Sequence, residues 1–398
     1  MSLKKLLVLC ALLIFASGLF GVSNLSAANK TKSFKFGLLL VGPYNDHGWS
    51  QAHYEAGHYV EKKIPGTKMI YIDNVNPAAR PGVTIPQLVD DLVAKGAKII
   101  IGNSDDMKDG TREAARMHPK VQFLHISGDD VLTGKASKNL TNLMGRMEYG
   151  KMMAGFAAAM STKSGKIAYL GPLINEETLR LASSAYLGAK YAWEKVLKKN
   201  PKDLSFQVSW IGFWFNIPGV TSDPTQVAQN FFDTGHDVVI SGIDTTEAVT
   251  VAQQKQKQGK FARAIPYDYI GACKGVSEIC LGVPYFNWGP DYVKLVKEVR
   301  AGKMISKWDW VGPDWKNIND PDTSAVGFVE GPALASEARD ALIQFVNDLG
   351  AENVNLFTGP LNYQDGSVFL KAGEKASDKQ IWYMHQLLEG MKGKSSAK

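Results

Sequence analysis

Cysteine is scarce in this chain, with three in 398 residues. Cys10 lies in an apolar leader, which leaves Cys273 and Cys280 of "CKGVSEIC" as an even pair. An even pair in an exported chain reads as a disulfide. A metal at that place would need two more ligands nearby, and the stretch offers none. Long apolar runs are equally rare. Leu6–Val22 is nearly all apolar, and no later segment approaches the length that crosses a bilayer. Charge of one sign is also missing. Lys and Arg total 45 against 39 Asp and Glu, a formal +6 that falls to +4 without Lys4 and Lys5. The basic residues are scattered, so there is no nucleic-acid footprint.

Several chemical signatures are absent. "GPYNDHGW" (42–49) has no G-x-G-x-x-G for a dinucleotide, and no phosphate loop occurs anywhere. "GNSDD" (102–106) has Asp106 where a serine-hydrolase elbow needs glycine. His47, His53 and His58 are six and five apart, not four with an acid between, so zinc is not indicated. No cofactor is expected.

What is present begins with export. Lys4 and Lys5 precede the apolar run, and Ser26 and Ala28 are small residues where a signal peptidase reads. Residues 1–28 are therefore expected to be removed, leaving Asn29 as the mature start. Leu9 before Cys10 argues against lipid anchoring, and the product is expected to be periplasmic or extracellular, free or membrane-associated. About 370 residues remain, too many for one core and suited to two domains.

Short apolar runs then alternate with amphipathic segments. "FKFGLLLV", "KIIIG" and "VQFLHIS" read as strands, with a helix in "IPQLVDDLVAKG". After a long helix in 149–165 the alternation restarts with "KIAYLG", "FQVSWIG", "DVVISG" and "FARAIPYD". The pattern predicts an α/β fold of two doubly wound, Rossmann-like lobes joined by a hinge. Lobe 1 is placed at 33–145 plus roughly 270–320, and lobe 2 at 146–268 plus roughly 321–390. The tail 391–398, "MKGKSSAK", is predicted disordered.

Ligands of open α/β sheets lie beyond the carboxyl ends of the strands. The residues just past them here are Asp46 and Trp49, then Ser104 and Asp105, then Trp214, Asp244 and Asp268. Trp288 occupies a later turn. A base stacked on an aromatic ring gains roughly 1–3 kcal/mol. Two stacks fall short of the roughly 8 kcal/mol of micromolar binding. Hydrogen bonds to the aspartates and Ser104 would supply the rest.

The chain resembles the basic membrane protein family, the purine-nucleoside-receptor type of substrate-binding protein. "GPYNDHGWSQAHYEAG" is similar to that family's first ligand loop. "WIGFWFNIPG", "GHDVVISGIDTTEA", "NWGPDYVKLVKEVRAGK" and the ending from "LFTGPLNYQDGSVFLKAG" are similar to further signatures. The resemblance implies a type I periplasmic-binding fold, no catalysis, a purine-like ligand and a membrane permease as partner, with a monomeric receptor. It also implies that Trp49 and Trp214 stack on the base and that Asp268 stands where nucleoside binders hold a ribose. Two departures bear on the ligand. No lysine counterpart follows Asp268, and Trp288 falls near its place. The family's "FPIPE" pattern reads "GPLINEE" here, with Glu176 or Glu177 replacing its acid. The missing lysine favours a bare base over a nucleoside. The alternatives are riboflavin or a sugar in the same fold, a secreted nucleoside hydrolase, which would need a denser aspartate motif, and a sensor domain.

Overall fold

The computed structural model describes residues 33–396. The expected signal segment, 1–28, lies outside them. Strands β1 (Phe34–Leu39), β2 (Thr67–Ile72), β3 (Ala97–Gly102), β4 (Gln122–Ile126) and β5 (Leu140–Gly145) alternate with helices α1 (Trp49–Lys63), α2 (Ile85–Ala94) and α3 (Lys108–Met117). β2 and β5 were not foreseen from the sequence. Helix α4 (Met147–Ser161) opens the second series: β6 (Lys166–Gly171), α5 (Glu176–Tyr191), β7 (Ser205–Trp210), α6 (Pro224–Asp233), β8 (Val238–Ser241), α7 (Glu247–Lys257) and β9 (Arg263–Ile265). There follow β10 (Gly282–Phe286), α8 (Gly289–Arg300), β11 (Trp308–Val311), β12 (Val326–Glu330) and α9 (Ser336–Gly350). The chain ends with β13 (Leu361–Asn362), β14 (Val368–Leu370), α10 (Asp378–Trp382) and β15 (Met391–Lys392).

The first sheet runs β11-β5-β4-β3-β1-β2 and the second β15-β7-β6-β8-β9, parallel throughout. Both reverse their order beside the first strand of the series, at β1/β3 and at β6/β8. β10 and β12 form a separate antiparallel ribbon between the sheets. β10 leads to α8, which packs on α1, and β12 leads to α9, which packs on α4. The ribbon is thus a pair of crossings between lobes, beside the β5–α4 crossing.

The β-branched and leucine-rich runs explain the sheets. Leu38, Leu39, Ile99, Ile100 and Ile101 are fully buried, as parallel strands covered on both faces must be. α2 starts on a reciprocal cap between Thr84 and Gln87 with Pro86 in its first turn, where the missing N–H costs nothing.

α4 and α5 pack through glycines. A Cβ on Gly155 would overlap the Ala185 carbonyl oxygen, and one on Gly188 the Met152 carbonyl oxygen. Backbone cannot yield as a side chain can. Gly155→Ala is expected to cost about 1–3 kcal/mol by forcing the helices apart, measured as a lowered urea midpoint. An unchanged midpoint would show that the helices part freely.

The tail corrects the sequence expectation. Met391–Lys392 pairs with Phe206 and Gln207 of β7 as an edge strand, and Met391 is buried. Polar composition suggested disorder. The buried Leu387 and Leu388 just upstream instead bring the tail to a free sheet edge. Upstream of it, Trp382 of α10 packs edge-on against Trp308 and Trp310, centroids 4.9 and 5.1 Å away. Among the described residues no helix is long and apolar enough to cross a membrane.

Candidate ligand cleft

A narrow cavity lies where the carboxyl ends of the two sheets face each other. Its walls come from both switch points, where adjacent crossovers leave in opposite directions and open a crevice. Trp49, Ser104 and Asp105 enter from the β1 and β3 ends, and Glu177, Asp244 and Trp214 from the second lobe. Ser127, Tyr169, Thr178, Leu181, Gly242 and Tyr267 complete the lining. The lobes are in contact here: a Cβ on Gly48 would overlap the carbonyl oxygen of Asp244, so only glycine lets them meet.

Asp46 explains the first loop. Its carboxylate accepts from the backbone N–H of Gly48, Ser50 and Gln51, each at 2.9 Å, and so caps α1. This holds Trp49 as the first helical residue. The Trp49 indole N–H donates to the Asn103 carbonyl at 2.6 Å, and the Asn103 side chain accepts from Val41 N–H at 2.9 Å. The β1 and β3 loops are therefore tied into one wall. Across the cleft, Asp244 N–H donates to the Trp214 carbonyl at 3.0 Å. α5 begins on a reciprocal cap between Asn175 and Thr178, which sets Glu177 at the mouth of the helix.

Residues 34–270, more than half of the chain, match the family model for PnrA-like substrate-binding proteins of ABC transporters. The chain belongs to that family. Its members are transporter binding proteins rather than enzymes, and work with a small-molecule ligand and a membrane permease. A Brucella abortus purine-binding protein is 29% identical over 370 residues, covering 92% of this chain and 95% of that one. An ABC transporter nucleoside-binding protein of Lactococcus lactis is 31% identical over 96 residues, covering 24% of this chain and 26% of the other. An Aeropyrum pernix ABC solute-binding protein superposes with a TM-score of 0.64 over 90% of this chain and all of that one, at 11% identity, which speaks for the fold alone. The fold is that of type I periplasmic-binding proteins.

Three expected ligand residues of this PnrA-like chain lie outside the cavity lining. Asp46 is spent on the α1 cap. Trp288 is buried, stacked on Phe286 and His53 with centroids 4.6 Å away, because α8 packs on α1. Asp268 is fully buried with φ +70°, and neither carboxylate oxygen has a hydrogen-bond partner among the described residues. Its N–H donates to the Pro284 carbonyl at 3.1 Å, and its carbonyl accepts from Phe286 N–H at 3.1 Å, which turns the chain towards β10. Cys273 and Cys280 are joined as a disulfide, Cα atoms 5.9 Å apart and away from the cavity lining.

A lysine from earlier in the chain does feel the charge of Asp268. Lys151 of α4 is fully buried, donates to the Ser241 carbonyl at 2.7 Å and lies 3.1 Å from the Tyr267 ring centroid. Burial pulls its ammonium down to about 7, against the opposing pull of Asp268. A single lysine inside the apolar "YGKMMAGFAAAM" was the available clue. Ser127 and Tyr267 follow β4 and β9 and obey the same strand-end rule as the residues foreseen. Tyr169 sits within β6 and Leu181 on a helix face, where no local signal marks them.

The carboxyls are displaced together. Burial pushes Asp244 well up, and the charges of Asp268, Asp46 and Glu177 add to it. Glu177 is pushed up to about 7, chiefly by burial and against the pull of Arg180. Burial also raises Asp105.

Proposed function

We propose that this chain is an exported receptor that captures a purine base or nucleoside between its lobes and presents it to the permease of an ABC importer. One observation carries the reading. Trp49 and Trp214 wall a single cavity from opposite lobes, beside the buried carboxyl of Asp244. Indoles supply stacking faces, and the acid accepts from ring N–H groups. The contact between Gly48 and Asp244 fits a closed state, and hinge opening about the crossings would admit the ligand. The named ligand of the Brucella abortus relative supports the same choice.

Thermal-shift and calorimetric titration with adenine, guanine, hypoxanthine and their nucleosides test the proposal. At least one should raise the melting temperature. If none does while a sugar, an amino acid or riboflavin does, the purine assignment falls. Trp214→Ala should weaken the best ligand roughly five- to 150-fold, the equivalent of one lost stack. An unchanged Kd would remove Trp214 from the site.

A further inference from the structure

We infer that the segment from Asp378 to Lys394 is a latch that holds the two lobes closed, and that the hydrogen bond from Tyr383 to Asp129 is the part of it that lets go when they open. The inference goes beyond the purine reading and does not depend on it, since none of the latch residues lines the ligand cavity.

The segment grips both lobes. Its downstream end belongs to the second. Leu387 and Leu388 are buried, and Met391 and Lys392 pair with Phe206 and Gln207 of β7. The Trp210 indole N–H donates to the Lys394 carbonyl at 2.8 Å. The upstream end reaches the first lobe. Trp382 packs on Trp308 and Trp310 of β11, the edge strand of the first sheet. The Arg180 guanidinium of α5 lies over the same Trp382 ring, 4.3 Å from its centroid. One indole thus touches both lobes. Asp378 accepts from Arg146 at 3.0 Å, and Arg146 stands in the β5–α4 crossing. Tyr383 then donates its hydroxyl to Asp129 at 3.0 Å. Asp129 follows β4 and is held from its own lobe by Lys108.

The two grips on the first lobe are unequal. Asp378 and Trp382 sit beside the crossing, where a hinge displaces least. Trp382 is buried, and unseating it would return a large apolar face to water. Asp129 lies away from that crossing, two residues beyond Ser127 of the cavity lining. Tyr383 is 38% exposed, so water replaces its partner at little cost. Opening therefore keeps the indole seated and parts Tyr383 from Asp129. The closed state is held by contacts that need no ligand, and a ligand enters or leaves only when the latch is undone.

Electron–electron distance measurements on the full chain without ligand test this. Spin labels go on the exposed Val83 and Val220, as Val83→Cys and Val220→Cys, past β2 of the first lobe and β7 of the second. The distances should fall into a shorter, closed population and a longer, open one. Tyr383→Phe keeps the ring and removes the donor. It should raise the open-to-closed ratio roughly three- to tenfold. Asp129→Asn should shift the ratio in the same direction and add little on top of Tyr383→Phe, because both break one contact. A distribution that Tyr383→Phe leaves unchanged overturns the latch, whether it is wholly open or wholly closed. So do shifts that simply multiply in the double variant. The purine reading stands or falls separately, on its own titrations.

Discussion

Trp49→Ala should lower the unfolding free energy by about 3–5 kcal/mol and weaken ligand binding roughly five- to 150-fold. The two losses have separate origins. Trp49 is 7% exposed and meets His53, Phe286 and Trp288 edge-on, with centroids 4.8, 5.2 and 5.5 Å away. Its removal leaves a cavity between α1, β10 and the start of α8. It also unties the Asn103 carbonyl, which then stands buried without that donor. The binding loss comes from the missing cavity wall. Trp49→Phe separates them: it restores a stacking face and much of the packing, but not the N–H. Chemical denaturation and titration on both variants check this. An alanine variant that binds normally would place the ligand elsewhere.

Glu177→Gln should act in the opposite direction and stabilise the empty protein. The carboxyl moves from 4.5 to about 7 on folding, chiefly by burial. The folded state thus holds a proton that the unfolded state releases between those values. Stability from this group is fully present below about 4.5 and is lost as pH rises to about 7. Above that range the ionised group costs about 3 kcal/mol. Glutamine keeps the shape and removes the ionisation. Unfolding free energies at about pH 8 should therefore rise by about 2–3 kcal/mol, and the wild-type decline from about pH 5 to 7 should flatten. A variant equally or less stable at about pH 8 would mean that Arg180 and Ser127 satisfy the ionised carboxylate after all.

Much of the candidate site was legible because parallel strands all deliver their following residues to one edge. Trp49, Ser104, Asp105, Trp214 and Asp244 follow strands and line the cavity. The same rule overreached at Asp46, since an acid before a helix is also a cap. It overreached at Asp268, which the turn into β10 buries. Lys151 and Leu181 come from helix faces, and a helix face acquires its neighbours only when the lobes assemble.

Apolar alternation along the chain, by itself, determined two parallel sheets with covered faces and acids and indoles at their carboxyl ends. Periodicity and strand-end position are local properties, so they survive without coordinates. Only the tertiary structure decided which indole lines the candidate cavity and which does not. Trp49 and Trp288 are chemically equal and 5.5 Å apart. They differ because α8, returning through the β10 crossing, lays Trp288 flat on His53 of the sequence-remote α1, while Trp49 reaches the cavity wall. Long-range packing of that kind leaves no mark in the residues on either side of a tryptophan.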